Sequence, residues 1–381
     1  MIFRILEDRV AQDFNDAKAA DRRYMQLALA LGRRGLGRTW PNPAVGAVLV
    51  KDGVIVGRGW TAPGGRPHAE PQALAWAGEA ARGATLYVTL EPCSHYGKTP
   101  PCCDAVISAG VARVVSAIED PNPEVAGQGH ARLRAAGIKV DVGLCAEEAA
   151  RDHAGHFHRV RDNRPHVILK LAVSSDDRIA AAGHTPVAIT GAAAQARVHL
   201  LRARSDAILI GIGTARADDP LLTCRLPGME ALSPVRVVLD THLRLKPASR
   251  LARTARQTPL WVVTAPSSEA PAAAILGAEG AQIVRLPADA AGLALTDVLH
   301  EVSRRGITRL MVEGGAKVAA SFLRAGLVDE VWLLRGPQAI GADGVPALDA
   351  MPLTAITQSP DWQARASETL QSDTLTIYER C

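Results

Sequence analysis

Hydrophobic positions at Tyr24, Leu27, Ala28 and Leu31 recur at i, i+3, i+4 and i+7, which predicts a helix with one buried face. Asp21 stands where an N-cap belongs, and Gly35 and Gly37 mark the stop. Residues 1–20 read as a loosely ordered leader. After the Pro41-Asn42-Pro43 turn come two β-rich runs, Val45 to Val50 and Val54 to Val56, with Asp52-Gly53 between them. Asp-Gly in that setting predicts a hairpin. The pattern continues with a helix from Glu70 to Arg82, a strand Thr85 to Leu90, a short helix from Cys102 that stops at Gly110 and a strand Arg113 to Ile118. A further helix ends at Gly137 before a strand Ile138 to Val142. Such alternation predicts an α/β three-layer domain.

Glu147 to Arg164 is charged and helical and reads as a connector; its His153, His156 and His158 are close enough in sequence to raise the question of a metal. Pro165 opens a new apolar strand, His166 to Val173, and the domain boundary is placed there: a leader over 1–20, a first domain over 21–164, a second over 165–381. The second domain repeats the α/β rhythm. Strand-like runs lie at Ala207–Ile210, Val235–Leu239, Leu260–Val263, Leu310–Val312 and Glu330–Leu334, with helical patterns at Ala192–Arg204 and Leu293–Arg305. Two glycine-rich turns follow strands, Gly211-Ile212-Gly213-Thr214 and Glu313-Gly314-Gly315, the latter leading into a helix around Lys317 to Ala325. Glycine admits a phosphate to the backbone and a helix N-terminus offers it N–H groups, but a plain turn has the same composition.

A chain of 381 residues, 48% apolar and 22% charged, suits two globular domains. A net charge of +4 over that length is too weak to argue for nucleic acid, as are 4% aromatics, though it suits anionic small substrates. No run approaches the ~18 apolar residues of a membrane span, the first ten residues do not read as a signal peptide, and six irregularly spaced cysteines argue for a reducing compartment. The expectation is a cytoplasmic enzyme without membrane or nucleic-acid partners.

The candidate chemistry lies in P-H-A-E-P at Pro67–Pro71 and L-E-P-C-S-H-Y-G-K-T-P-P-C at Leu90–Cys102. His68, Cys93 and Cys102 form a three-ligand zinc set, which leaves the fourth tetrahedral position to a water. Zinc lowers the pKa of that water to about 7. Glu70, two residues past the imidazole, is the proton carrier, since His-x-Glu followed by Pro-Cys is the zinc-deaminase signature in which Glu is not a ligand. A structural zinc would close its shell with a fourth Cys or His. Cys103 reads as a buried small residue, and Cys145, Cys224 and Cys381 are too scattered for a framework.

With those residues stands a set of longer motifs: T-W-P-N-P-A-V-G-A-V at Thr39–Val48, D-P-N-P-E-V-A-G-Q-G at Asp120–Gly129, L-R-A-R-S-D-A-I-L-I-G-I-G-T at Leu201–Thr214, D-D-P-L-L-T-C-R at Asp218–Arg225, V-E-G-G and L-V-D-E. Through them, from about Tyr24 to the C-terminal region, the chain resembles the bifunctional riboflavin-biosynthesis deaminase/reductases. The resemblance implies a cytidine-deaminase-like three-layer α/β/α domain followed by a dihydrofolate-reductase-like α/β domain. One Zn²⁺ per chain would serve deamination of a phosphorylated pyrimidine, and NADPH would serve reduction of its ribosyl group; a homo-oligomer is expected. It further implies that Asn42 and Lys98 lie near the pyrimidine and its phosphate. Ala172, Thr214, Asp218 and Gly315 fall at cofactor positions, and Arg202, Leu222, Arg225 and Glu313 at substrate positions. The chain departs from the family pattern at Thr61 (usually His), His153 (Asn), Asp177 (Gly) and Ala188 (Trp). The last two raise the alternative of a deaminase whose second domain is a non-catalytic binding or oligomerisation module.

Overall fold

The computed structural model describes residues 18–381 apart from 186, 269 and 291. Two compact units divide the chain, one ending at Asp162 and one beginning at Asn163. The expected leader lies, as far as residue 17, outside the described residues. A helix α1 covers 18–32, so Asp21 sits within it and does not cap it. The Asp21 carboxylate instead accepts from the Arg113 guanidinium at 2.7 and 3.0 Å and from the Tyr87 hydroxyl. A charge-assisted fork is a stronger partner than a free helix-end N–H.

In the first unit β1 (Gly46–Lys51), β2 (Val54–Trp60), β3 (Thr85–Val88), β4 (Arg113–Ser116) and β5 (Lys139–Val142) form one sheet in the order β2-β1-β3-β4-β5. β1 pairs antiparallel with β2 and β3, while β3, β4 and β5 run parallel. Asp52 and Gly53 both hold positive φ, 50° and 76°, as the hairpin turn requires. Strand side chains alternate between faces. Ala47, Leu49, Leu86, Val88 and Val114 join Ala73 of α2 (Ala69–Ala77), Val106 of α3 (Cys102–Ser108) and Leu133 of α4 (Gln128–Ala135). Val48, Val50, Tyr87 and Val115 join Leu29 of α1 and Ala149 of α5 (Ala146–Asp152). The sheet therefore lies between two helical layers, the three-layer arrangement expected.

The stretch read as a connector is part of this unit. α5 and α6 (Ala154–Asp162) bury Ala149 and Phe157 in its core, because both helices carry an apolar residue on their inward side. Their three imidazoles have separate partners. His153 Nε2 is 3.1 Å from the Thr89 carbonyl and hydroxyl, His156 Nε2 is 2.9 Å from Asp120, and His158 Nδ1 is 2.7 Å from Asp162.

In the second unit nine strands form one sheet: β6 (His166–Val173), β7 (Ala207–Gly211), β8 (Val235–Leu239), β9 (Leu260–Thr264), β10 (Gln282–Arg285), β11 (Arg309–Val312), β12 (Glu330–Arg335), β13 (Trp362–Leu370) and β14 (Asp373–Arg380). Their order is β10-β9-β8-β7-β11-β6-β12-β14-β13. The first seven in that order run parallel, and β14 and β13 close the edge antiparallel. Every apolar run anticipated as a strand is one. The hairpin β13–β14 went unread, because β13 is exposed along nearly its whole length and carries no apolar alternation. Gly211 caps a helix, α7 being Ala192–Ala203 and α8 Ile212–Asp218, so the first glycine-rich turn is a helix start. Gly315, at φ 77°, caps the helix Ala316–Arg324. Asp177 holds φ 64°, a left-handed position that explains why glycine is usual there; Asp tolerates it better than most residues and pairs with Arg335 at 2.7 Å.

Candidate functional site

The first site is assembled where α2 begins. Gly57 and Gly59 of β2 let the helix lie directly on the strand: a Cβ on Gly57 would stand 2.3 Å from the Ala73 carbonyl oxygen, and one on Gly59 2.4 Å from that of Ala69. His68, extended at ψ 170°, is the residue before the helix, and Glu70 lies in its first turn. Cys93 comes from the loop after β3, and Cys102 starts α3. His68 Nδ1 is 3.3 Å from Cys102 Sγ and 3.8 Å from Cys93 Sγ, and one ligand atom of each residue lies within 4.8 Å of the others. The Cys102 N–H donates to Cys93 Sγ at 3.3 Å. Donation from the Cys102 thiol, helped by His68 and working against burial, holds the Cys93 thiol down at about 4, and the same thiol–thiol bond pushes Cys102 up. One nitrogen and two sulfurs converging fit Zn²⁺.

Glu70 is 3% exposed. Burial first, then the neighbouring Cys93 charge, raise its carboxyl to about 7, with His68 opposing. A carboxyl poised there can both take and release a proton near neutral pH. Asn42 donates to the Gly65 carbonyl at 2.8 Å and comes within 3.4 Å of His68 Nε2, so it is beside the imidazole. Lys98 is exposed on the loop beyond Cys93, where Arg66 donates to Thr99 at 2.5 Å. Thr61 is buried and its hydroxyl accepts from the Val45 N–H at 3.0 Å. Cys103 is buried and its thiol donates to the Pro92 carbonyl.

Glu91 is a residue the sequence reading passed over. Buried two residues before Cys93, it accepts the N–H groups of Asp120 at 3.2 Å, Gly127 at 3.0 Å and His130 at 3.1 Å. It thereby ties the Asp120–Gly129 motif under the Cys93 loop. The signal was a carboxylate between an apolar strand and Pro-Cys.

The second site is a cavity of about 1100 Å³ in the second unit. Ala172, Thr214, Asp218, Gly315 and Glu313 all line it, together with Lys170. A Cβ on Gly315 would stand 3.0 Å from Thr214 Oγ1, so glycine keeps this approach open beside a helix N-terminus. That cradle, with apolar walls from Leu169 and Leu171, fits a dinucleotide. Glu313 is the electrostatic centre. Arg202 Nε and Nη2 donate to it at 2.9 and 2.7 Å, and Lys170 Nζ lies at 3.4 Å. Burial would raise the carboxyl, but the Lys170 and Arg202 charges outweigh it and hold it at about 2. Lys170 too escaped the sequence reading; a lone cation in the apolar run of β6 was its signal.

Leu222 and Arg225 do not line the cavity. They sit on the adjoining loop 219–225, which Arg202 Nη1 reaches by donating to the Thr223 carbonyl at 3.1 Å. Arg202 thus matches its fork to Glu313, and Arg225 is exposed.

Comparison with known proteins identifies the family. The family described as the cytidine and deoxycytidylate deaminase zinc-binding region matches residues 18–118, and the RibD C-terminal domain matches residues 165–376. The chain is 40% identical over 360 residues to riboflavin biosynthesis protein RibD of Aquifex aeolicus, covering 94% of this chain and 98% of that one. It is 43% identical over 334 residues to the Escherichia coli protein of the same name, covering 85% and 89%. The Acinetobacter baumannii RibD structure superposes with a TM-score of 0.84 at 35% identity, covering 96% and 99%. The Thermotoga maritima diaminohydroxyphosphoribosylaminopyrimidine deaminase/5-amino-6-(5-phosphoribosylamino)uracil reductase does so at 0.84 and 33%, covering 96% and 100%. With two catalytic folds in this order and relatives matching nearly end to end, the chain belongs to the RibD family of bifunctional riboflavin-biosynthesis deaminase/reductases.

Proposed function

We propose that residues 21–164 deaminate 2,5-diamino-6-(5-phosphoribosylamino)pyrimidin-4(3H)-one and that residues 165–381 then reduce the ribosyl side chain of the product to ribityl with NADPH. The observation that carries this reading is the convergence of His68, Cys93 and Cys102 next to buried Glu70. His68, Cys93 and Cys102 would hold zinc, which when bound supplies a Lewis acid that makes water nucleophilic near neutral pH. Glu70 takes the proton of the attacking water and hands it to the leaving amine, the exchange for which a carboxyl near 7 is suited. Asn42 sits beside His68 to orient the ring, and Lys98 and Arg66 offer the phosphate its positive charge.

In the second unit NADPH supplies the hydride. Ala172, Thr214, Asp218 and Gly315 would hold it in the cavity. Reduction also consumes one proton, and Lys170, beside Glu313, is the cavity-wall donor we assign. Arg202, Leu222 and Arg225 form the substrate side. A non-catalytic second unit is not favoured, since the charged centre and the glycine cradle are both in place. Six free cysteines support a reducing, cytoplasmic setting, and among the described residues no helix is long and apolar enough to cross a membrane. The exposed edge strand β13, a row of pairing groups, supports a homo-oligomer. Few aromatics and near-balanced charge speak against nucleic acid.

The test uses purified protein and two substrates. The diamino compound should release ammonia, and the deaminated product with NADPH should lose nicotinamide absorbance. Absence of the second signal overturns the bifunctional reading.

A further inference from the structure

Arg236 is the one charged residue of the strand β8, and its side chain is completely buried. Its strand partners are Ile208 and Leu260, and both belong to the large apolar cluster of the second unit, as does Leu222. Among the described residues no carboxylate pairs with it, and burial alone pushes its guanidinium down. Its partners are the Thr254 hydroxyl at 2.7 Å and the Thr258 and Leu221 carbonyls, the last at 3.3 Å. Burying a cation without a counter-ion costs several kcal/mol, and an apolar residue of similar volume would serve the core better. The charge therefore calls for an account beyond packing.

That account lies in the loop it reaches. Within 219–225 two non-glycine residues hold left-handed backbone, Asp219 at φ 39° and Leu222 at φ 56°. Such conformations persist only where the surroundings over-determine them. Here they are held by groups from outside the loop. Arg202 takes the Thr223 carbonyl, Ser233 takes the Cys224 N–H at 3.1 Å, and the Arg250 N–H donates to Asp219 Oδ1 at 2.8 Å. Arg236 takes the Leu221 carbonyl, immediately before the strained Leu222. Two guanidiniums thus grip alternate carbonyls of one loop, Arg202 from the charged centre and Arg236 from the core.

We propose that Arg236 is a positioning residue of the reductase, holding the left-handed turn at Leu222 so that the loop presents its backbone there and the exposed Arg225 to the phosphorylated substrate. This rests on the reading of 219–225 as the substrate side of the second site. Arg236 is not among the residues that line the cavity.

The experiment compares wild type, R236K and R236M in full-length protein. KM and kcat are measured separately for NADPH and for the deaminated pyrimidine, and amide hydrogen exchange is followed across 219–225. Loss of the grip should raise KM for the pyrimidine about tenfold in R236M, and less in R236K, with KM for NADPH within about twofold, since small misplacements of binding groups cost that much or more. The amides of 221–225 should exchange faster while those of β6 and β11 keep their protection. A general loss of protection, or equal changes in both KM values, would show a purely structural role and overturn the proposal. R236K keeps the charge and guards against failure of R236M to fold. If wild type shows no reduction, the functional reading fails instead, and exchange in R236K alone then decides whether the grip exists: selective loosening of 221–225 upholds it, unchanged exchange refutes it.

Discussion

Glu70 and Glu313 are both buried carboxyls, yet their surroundings drive them in opposite directions. Burial first and then the Cys93 sulfur beside it raise Glu70 to about 7, whereas the Lys170 and Arg202 charges outweigh burial and hold Glu313 at about 2. The first is thereby suited to move protons and the second to stay charged. Glu70→Gln should keep its zinc content and lose about 10²–10⁴ in deamination rate; ammonia release alongside metal analysis checks this, and undiminished release would remove Glu70 from the mechanism. Arg202→Ala should leave deamination intact. It strips Glu313 of its fork and should cost the second unit on the order of 3 kcal/mol, read by chemical denaturation, and weaken binding of the reductase substrate. An effect confined to ammonia release would contradict the two-site reading.

At the level of elements, the proposed zinc ligands depend on how closely α2 lies on β2. Residues 57 and 59 have no side chain because the helix carbonyls occupy that space. Gly59→Ala would push a Cβ against the Ala69 carbonyl, one residue from His68, and either the helix or the strand must move. Overpacking of this kind costs about 1–3 kcal/mol. The expected outcome is a lower melting temperature, reduced zinc content and slower deamination, with NADPH oxidation unchanged; full zinc content would show that the ligand set tolerates the shift. Glu91 acts at the same scale, joining the Cys93 loop to the 120–130 segment through three N–H groups.

For the whole molecule, two units with separate chemistry predict separable losses. Chelation should abolish ammonia release but leave reduction of the deaminated product running; loss of both would show the second site to depend on the metal. Acid should destabilise the second unit through Glu313. The Glu313 carboxyl is held at about 2, below its ordinary 4.5, so the folded form binds fewer protons than the unfolded one in that interval. Its contribution, about 3 kcal/mol, is complete above pH 4.5 and lost as pH falls toward 2. Denaturation midpoints followed over that window should show the slope in wild type and a shallower one in Glu313→Gln. Sequence by itself determined what is local: the helix and strand periods, the Asp-Gly hairpin, and the candidate set His68, Glu70, Cys93 and Cys102, whose residue types suit zinc. It misplaced Asp21 and missed β13, because a cap depends on rival partners and an exposed edge strand has no apolar face to betray it. Only the tertiary structure decided that Lys170 and Arg202 meet Glu313 across 143 and 111 residues, that Glu91 anchors a distant loop, and that Arg236 grips Leu221. Such meetings follow from strand order and register, and those are set by the packing of whole layers, which no short stretch of chain encodes.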